Sequence, residues 1–332
     1  MKQDIIPGIN GDVYIPYTKR TGNESIVYFT RDLSASGLIK AYDCISACLK
    51  GKVGIKLHTG EKHGPNIIPR PWVKNLYQKR LPESSIIETN TYYDGDRFTT
   101  EGHLETLKVN GWTFCPVDII DDEGTFNLPV NGGKWFDFMS VGNHLMNYDS
   151  MLALTHFKGH VQGGFGGSNK NIGIGCADGR IGKAMIHTTP GSEDQWDIAT
   201  EEFMERMTES TKATIDHFGK NVAYINVMRN MSVSCDCEGT AAEPVVTPNV
   251  GILASLDILA IDQASIDIVY AMKKNERHAL QERIETRHGL RQLSYMKELG
   301  MGNDRYILID LDNGAKRIVA KDAAKGLKPF KG

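Results

Sequence analysis

Apolar and amphipathic stretches alternate along the chain from Ser25 onwards, and this alternation predicts its secondary structure. Continuous or period-two apolar runs predict strands over residues 25–30, 52–58, 85–92, 114–120, 136–141, 151–156, 221–228, 251–255 and 306–311. Helical spacing of apolar positions predicts helices over residues 38–49, 70–80, 99–110, 200–218, 260–272, 277–288 and 290–299. Strands that alternate with helices favour an α/β fold, in which a doubly wound mixed or parallel sheet carries helices on both faces.

The same pattern divides the chain into four parts. Residues 1–24 are expected to form an irregular N-terminal arm, and residues 25–155 a first α/β lobe. Residues 156–312 are expected to form a second α/β lobe with a glycine-rich loop, and the basic segment 313–332 a flexible tail. Ligands in such sheets bind outside the carboxyl ends of the strands, so a cleft between the lobes is the expected site.

Charge and composition exclude some partners. The net charge is −3, which gives no general attraction to nucleic acid or to an anionic membrane. No apolar run reaches the length of a membrane span, and residues 1–20 lack the apolar segment of a signal peptide. We therefore expect a cytoplasmic protein that binds a small molecule, with reduced cysteines and an oligomeric state that the sequence leaves open.

The most informative segment is 156–183, HFKGHVQGGFGGSNKNIGIGCADGRIGK, which contains nine glycines and follows an apolar strand. Glycine lacks a Cβ atom, so the backbone amides of such a loop can approach a ligand closely and form an anion-binding nest. Residues suited to binding in and after this segment are Lys158, His160, Gly166, Gly167, Lys170, Asn171, Cys176 and His187. We favour a binding loop; the alternative is a glycine-rich connection whose histidines only satisfy backbone groups.

Polar residues also follow two of the predicted strands. His58 ends one strand, while Glu88 and Asn90 lie at the end of the next, with Arg97 shortly after it. A carboxylate, an amide and a guanidinium grouped at strand ends suit a small anionic or polar ligand. The alternative is that Glu88 and Arg97 form a structural ion pair.

The cysteines offer soft ligands. Cys235 and Cys237 are separated by one residue, and two such thiolates can bind a metal ion or part of an iron–sulfur cluster. Cys176 would supply a third sulfur if the fold brings the segments together. The alternative is a turn with two half-buried thiols. Asp257 precedes a predicted helix and is interpreted mainly as its N-terminal cap.

Several long segments resemble the domain-of-unknown-function family 362. They are VGIKLHTGE (53–61), ETNTYY (88–93), HFKGHVQGGFGGSNKNIGIGCA (156–177), YINVMRNMSVSCDCEG (224–239) and GILASLDILAIDQA (251–264). Members of this family are often described as iron–sulfur proteins, because many carry an appended ferredoxin segment with a CxxCxxCxxxCP pattern. The present sequence has no such segment, so any cluster would have to be held by Cys176, Cys235 and Cys237.

A shorter segment is similar to the nickel-pincer lactate racemase family. His160 and the following GGFGGSNK resemble that family's HxxAGFSGGRK, in which the histidine is an acid/base and the lysine holds the pyridinium cofactor. The resemblance implies these roles for His160 and Lys170, and His187 follows as a second histidine does there. Asn169 replaces the family's arginine, which weakens the implication that a nucleotide-derived cofactor binds here.

The racemase resemblance leads to an expectation about Lys170. If Lys170 bonds a cofactor, the glycine loop should partly desolvate its amine and lower its pKa. The alternative is that Lys170 pairs with Asp178 and only fixes the loop.

Together these observations predict a small-molecule enzyme, or an enzyme-like protein, with a metal or iron–sulfur site in the cleft. Its chemistry would be proton transfer of the racemase or isomerase kind, with His160, Lys170 and His58 as catalytic candidates. Anionic ligand groups would bind Lys158 and Lys170, and a cluster would imply a redox partner. The competing interpretation is a non-catalytic protein that binds a metal or a metabolite.

Overall fold

The computed structural model describes the pairs Ile6–Pro7 and Val13–Tyr14 and then residues 22–331. Most of the predicted N-terminal arm, residues 1–24, therefore lies outside the described residues. None of the helices within residues 22–331 combines the length and the apolar composition needed to cross a bilayer.

The elements largely follow the predicted alternation. The strands are β1 (Ile6–Pro7), β2 (Val13–Tyr14), β3 (Ser25–Thr30), β4 (Val53–Lys56), β5 (Ser85–Glu88), β6 (Val117–Ile119), β7 (Thr125–Pro129), β8 (Phe138–Gly142), β9 (Ser150–His156), β10 (Lys158–His160), β11 (Gly164–Gly166), β12 (Val222–Met228), β13 (Gly251–Ser255), β14 (Tyr306–Asp310) and β15 (Lys316–Ile318). The helices are α1 (Ala35–Asp43), α2 (Arg70–Arg80), α3 (Thr100–Val109), α4 (Ser168–Gly175), α5 (Ile181–His187), α6 (Thr200–Phe218), α7 (Ile258–Ala271), α8 (Lys274–Thr286), α9 (Arg291–Glu298) and α10 (Ala320–Ala323). Short 3-10 helices cover Ser46–Cys48, Asn143–Asn147 and Asp236–Ala241.

A nine-stranded sheet in the order β15-β14-β3-β13-β12-β9-β4-β5-β6 organises the described chain. The five strands β12, β9, β4, β5 and β6 are parallel to one another, whereas β13 is antiparallel to both β12 and β3. This mixed, mostly parallel sheet confirms the predicted fold class.

The chain reverses its direction of travel through the sheet between β4 and β9. From β4 it moves outward to β5 and β6, and it then returns to the other side of β4 to form β9 and β12. In doubly wound sheets such a reversal leaves a crevice at the carboxyl ends of the two strands, and ligands bind there.

Helices cover both faces of the sheet because alternate residues of the buried strands point in opposite directions. On β9, Leu152 and Leu154 belong to the apolar cluster that also contains residues of α1 and α2. Met151 and Ala153, one position away, belong to the cluster formed with α4, α6 and α7. Two apolar layers therefore enclose the sheet, as the sequence predicts.

The glycine-rich segment is ordered structure rather than the predicted loop. It forms the antiparallel pair β10–β11, followed by α4 and α5. Its glycines serve close packing: a Cβ atom on Gly173 would lie 2.6 Å from Thr211 Oγ1 and would also meet the Met207 carbonyl on α6. The glycine content that suggests a flexible connection thus permits α4 to press against α6.

The C-terminal segment also differs from its prediction as a flexible tail. Residues 316–318 form β15, which pairs with β14, and α10 follows with Ala320 and Ala323 buried. The apolar residues of this short segment pack on the main core. This packing orders the segment, although its basic composition predicts a solvated, flexible end. The two predicted lobes share one sheet, since β3 pairs with β13 and β14.

Asp257 has the structural role expected of it. Its side chain accepts a hydrogen bond from the Ala260 amide at the start of α7, so it is the N-terminal cap. The carboxylate also accepts from the Ser25 hydroxyl and the Asn303 amide, which connects α7 to the first strand of the large sheet.

Gly173→Ala tests the close approach of α4 and α6. Alanine is the better helix former, but the new methyl group would be forced into the backbone of α6, so we expect a loss of about 1–3 kcal/mol in the free energy of unfolding. Urea denaturation followed by circular dichroism measures it. Gln78→Ala, at an exposed position of α2, is the control and should change stability by less than about 0.5 kcal/mol. Equal stability of the two variants would contradict the packing argument.

Candidate functional site

A cavity of about 380 Å³ lies at the carboxyl ends of β4, β5 and β9, where the chain reverses through the sheet. Its walls come from the residues that follow these strands, from β10 and β11, and from α4 and α5. The polar and aromatic side chains in its lining are Lys56, His58, Glu88, Thr89, Thr91, Tyr92, Tyr93, Arg97, His156, Lys158, His160, Gln162, Lys170, Asn171, Lys183, His187, Trp196 and Cys237.

Most of the residues singled out from the sequence meet in this cavity. The lining includes His58, Glu88, Arg97, Lys158, His160, Gly166, Gly167, Lys170, Asn171, His187 and Cys237. Three others lie outside it. Cys235 is buried next to Cys237, Asn90 lies behind Lys183, and Cys176 is in the apolar core.

His58 and His160 are each oriented by a nearby backbone amide that donates a hydrogen bond to Nδ1. The Nδ1 atom of His58 accepts the Gly60 amide at 2.9 Å, and the Nδ1 atom of His160 accepts the Gly163 amide at 2.8 Å. A neutral imidazole that accepts at Nδ1 carries its proton on Nε2. Burial lowers the pKa of both rings, that of His160 to about 4, so both are neutral Nε2–H tautomers near pH 7.

His187 is fixed in the opposite tautomer. Its Nδ1 atom lies 2.8 Å from the Lys183 carbonyl, which can only accept, so Nδ1 carries the proton and Nε2 the lone pair. Burial lowers the pKa of this ring to about 3. Tyr92 stacks on it with ring centroids 5.9 Å apart, and the Trp196 ring meets it edge-on. The cavity therefore contains both imidazole N–H donors and an imidazole lone pair.

The Cys235 sulfur is a shared hydrogen-bond partner of His58 and His160. Both rings hydrogen-bond to it, and because Nδ1 of each is occupied, Nε2 is the nitrogen left for the sulfur. The bond to Cys237 is the largest influence that lowers the pKa of the Cys235 thiol, and Lys170 and the two rings lower it further, against the effect of burial. The pKa of Cys237 is correspondingly raised by its bond to Cys235 and by burial.

Asp236, between the two cysteines, anchors the other side of the cavity. Its carboxylate lies 2.8 Å from His156 Nδ1 and 3.1 Å from Lys158 Nζ. Burial would raise the pKa of this carboxyl, but His156 and Lys158 outweigh burial and hold it far below its usual range. Lys158 is therefore paired inside the protein and is not a free cation for a ligand.

Glu88 forms a second buried ion pair, with Lys56. The Lys56 ammonium donates to Glu88 Oε2 at 2.8 Å and also to the Leu57 carbonyl and the Asn171 amide oxygen. The other carboxylate oxygen accepts the amide and the hydroxyl of Thr59. Burial opposes ionisation of Glu88, but Lys56 and the neighbouring cationic groups hold its pKa well below the usual range.

Arg97 pairs mainly with Glu61 rather than with Glu88. Its Nη2 lies 2.6 Å from Glu61 Oε1, whereas Nη1 is 3.9 Å from the Glu88 carboxylate. Tyr93 completes the group by donating its hydroxyl to the same Glu61 oxygen. The ion pair considered between Glu88 and Arg97 is thus the weaker of two contacts.

The N-terminus of α4 does not offer an anion nest to the cavity. The Asp262 carboxylate accepts the amides of Ser168 and Asn169 at 2.8 and 2.9 Å, so these donors are already satisfied. Burial raises the pKa of Asp262 to about 6. Gly167 is needed here because a Cβ atom on it would meet the Asp262 side chain. The glycine pattern predicts a nest for a ligand, but in the structure this glycine makes room for the Asp262 carboxylate of the protein itself.

Two lysines of the lining have no carboxylate partner among the described residues. Lys170 is half-buried beside Gly166, and it does not pair with Asp178, whose oxygens accept amides at the start of α5. Lys183 is 5% exposed and donates to the Thr89 hydroxyl and the Asn90 carbonyl. Burial lowers the pKa of Lys183 to about 8. The desolvated lysine expected at position 170 is therefore found at position 183.

A metal ion would find a partial ligand set here. Ligand atoms of His160, Cys235 and Cys237 lie within 4.8 Å of one another, and two sulfurs suit a soft cation. His160 fits less well, because a metal on Nε2 requires a proton on Nδ1, which faces two backbone N–H groups. Cys176 does not join the group; it packs in the core, where burial raises its pKa to about 12. Four-cysteine ligation of a cluster is not formed by the described residues.

Sequence reasoning missed several residues of the site. Lys56 lies inside a buried strand, where an apolar pattern hides it, and Asp236 is overlooked between two cysteines. Lys183 follows Gly182, which the sequence interpretation takes as the end of the loop. A usable signal existed for the histidines: a glycine two or three residues after His58 and His160 supplies the amide that each Nδ1 accepts.

The fold and the cavity define an α/β protein with an enzyme-like pocket at a reversal of strand order. The chain belongs to the domain-of-unknown-function family DUF362, whose model matches residues 53–267. That range includes every element that contributes to the cavity, and it confirms the family expected from the sequence. No curated protein sequence matches the chain.

Two solved structures resemble the chain at low identity. The lactate racemase apoprotein from Thermoanaerobacterium thermosaccharolyticum is 13% identical with a TM-score of 0.43, and the match covers 82% of this chain and 63% of the racemase. A protein from Thermotoga maritima is 12% identical with a TM-score of 0.36, over 58% of this chain and 49% of that one. The chain spans less than two thirds of the length of either.

Glu88→Gln tests the buried pair with Lys56. Glutamine keeps the shape but leaves the Lys56 ammonium buried without a counter-charge, so we expect the free energy of unfolding to fall by about 3–5 kcal/mol. The folded-state pKa of Glu88 is depressed, so its contribution is present above the unfolded value of about 4.3 and is lost as the pH falls below it. Chemical denaturation at pH 7 and at pH 3 should therefore show a smaller difference between variant and wild type at pH 3.

Glu105→Gln is the matched control, because Glu105 and Lys108 form an exposed pair on α3. It should cost less than about 1 kcal/mol at either pH. A Glu88→Gln variant as stable as this control would show that the buried pair contributes nothing net.

Proposed function

We propose that the chain is an enzyme that moves a proton to or from a small anionic molecule bound in the cavity. The observation that carries this proposal is the pairing of opposite histidine tautomers in one cavity. His58 and His160 carry their protons on Nε2, while His187 presents an Nε2 lone pair.

The charges of the lining support an anionic ligand. Glu88, Asp236 and Glu61 neutralise Lys56, Lys158 and Arg97 respectively. Lys170 remains without an ion pair among the described residues and lies beside Gly166 at the cavity wall. A carboxylate or another small anion would pair with this ammonium in a poorly solvated space, where such a pair is stronger than in water.

The histidines suit acid/base work because their surroundings fix different proton positions. His187 can take a proton from the substrate at Nε2 and return it, while the neutral His160 can donate a hydrogen bond from Nε2–H, in place of its bond to Cys235, to a substrate oxygen on which negative charge develops. Tyr92 and Trp196 enclose the base and limit water at that wall. This division of roles supports racemase- or isomerase-like chemistry.

Deuterium incorporation tests the proposal. A panel of small chiral hydroxy and amino acids is incubated with the protein in D2O, and exchange at carbon is followed by mass spectrometry. We expect exchange with at least one compound. His187→Gln removes the imidazole lone pair that takes the proton, so it should slow exchange by about 100-fold or more.

His278→Gln, at an exposed position of α8, is the control and should exchange at the wild-type rate. Undiminished exchange in His187→Gln would remove His187 from the chemistry. Binding of a panel compound without any exchange would favour the non-catalytic binding protein instead.

A second candidate function, metal binding, rests on the proximity of His160, Cys235 and Cys237. The two sulfurs would hold a soft cation, and the imidazole N–H groups would stabilise the thiolates by hydrogen bonds rather than coordinate the ion. Such a site would serve storage or delivery of the ion, or would polarise a ligand bound next to Cys237.

Elemental analysis of anaerobically purified protein tests this candidate. If the sulfurs hold a metal, Cys237→Ser should lose most of it, and Cys176→Ser should retain it because Cys176 lies outside the group. Metal content that is the same in Cys237→Ser and wild type would exclude the site.

A further inference from the structure

Lys183 differs from the other buried lysines of the cavity in its hydrogen bonds. Its Nζ atom donates to Thr89 Oγ1 at 2.6 Å and to the Asn90 carbonyl, and both acceptors are uncharged. The Thr89 hydroxyl in turn donates to the Gly175 carbonyl, so its oxygen is free to accept. No carboxylate pairs with Lys183 within the described part of the chain.

The number of acceptors matches a neutral amine. A neutral amine has two N–H bonds and one lone pair, whereas an ammonium has three N–H bonds. Lys56 gives the contrast: its Nζ donates to three acceptors, one of them the Glu88 carboxylate, which suits the charged form. Two acceptors at Lys183 leave the lone pair unused on a side chain that lines the cavity.

The electrostatic surroundings agree with this assignment. Burial is the main cause that lowers the pKa of Lys183 to about 8, and Arg97 and Lys56 lower it further, while Asp121 and Glu88 partly compensate. About a tenth of the amine is then uncharged at pH 7. An exposed lysine, with a pKa of about 10.4, is almost fully protonated there.

We propose that Lys183 is a nucleophilic amine that forms an imine with the carbonyl group of a small 2-oxo acid. This inference rests on the proposed anion site, because Lys170 would bind the carboxylate of that substrate while Lys183 attacks the adjacent carbonyl. The substrate of the cavity would then be a 2-oxo acid, and Lys183 would be a catalytic residue in addition to the histidines.

The step balances without any further reactant. The Lys183 lone pair forms a C–N bond to the carbonyl carbon, and the carbonyl π electrons move to oxygen. The two amine hydrogens leave with that oxygen as water, and a C=N bond remains. His187 lies one turn further along α5, and its Nε2 lone pair can carry a proton from nitrogen to the departing oxygen.

An imine would acidify the neighbouring C–H bonds of the substrate, because the C=N group withdraws electrons. The proton released there has an acceptor in the same histidine lone pair. Imine formation at Lys183 and proton transfer by the histidines would then be two stages of one reaction.

Reductive trapping tests the inference on the intact wild-type chain. The protein is incubated at pH 7 with pyruvate and cyanoborohydride, and the modified lysines are located by peptide mass spectrometry. We expect Lys183 to be labelled at least about tenfold faster than Lys79, a solvent-exposed lysine of α2. Labelling of Lys183 no faster than Lys79 overturns the inference and leaves the deuterium-exchange test of the proposed function unaffected.

Propanal, a carbonyl compound without a carboxylate, separates the amine from the anion site. Lys170→Met should reduce labelling of Lys183 by pyruvate about tenfold and leave labelling by propanal unchanged. Rapid labelling by propanal combined with none by pyruvate overturns the oxo-acid assignment. Lys183→Arg, which keeps a cation at this position, should abolish the rapid labelling; persistence of the adduct on another residue also overturns the inference.

Discussion

Removing charged side chains from water is the constraint on which the rest of this site depends. Four lysines and an arginine line one small cavity, and an unpaired buried charge is too costly to keep. Three of the five therefore have carboxylate partners within the protein. The remaining two depart from that pattern: Lys170 is half-buried, and burial lowers the pKa of Lys183 to about 8. These exceptions indicate where a ligand would be recognised.

Backbone groups two to four residues away in sequence set the tautomers of the three histidines. Amides that point at Nδ1 decide the tautomer of His58 and His160, and a helical carbonyl decides the tautomer of His187. The same ring type thereby becomes a donor in one wall and an acceptor in another. A thiol between two such donors has its pKa lowered, because hydrogen bonds and nearby cations favour the thiolate.

The sequence predicts the sheet and most of the cavity because both follow from local patterns. Apolar runs predict the strands, and the polar residues His58, Glu88 and His160, which lie at or after strand ends, predict the position of the cavity. The partners could not be predicted in this way. Glu88 pairs with Lys56, which a buried strand conceals, and Asp262 reaches α4 from α7. The glycine-rich segment is misjudged because glycine permits close packing as readily as it permits a loop, and only the position of α6 distinguishes the two.

The order of strands has a consequence for synthesis of the chain. β3 is complete when residue 30 has been translated, yet it lies between β13 and β14, whose residues come more than two hundred positions later. At about 5–20 residues per second, both of its edges stay unpaired for roughly ten seconds to a minute on the ribosome. During that time an apolar strand with free amides and carbonyls can pair with another nascent chain, so this protein should depend on chaperones that shield exposed strand edges.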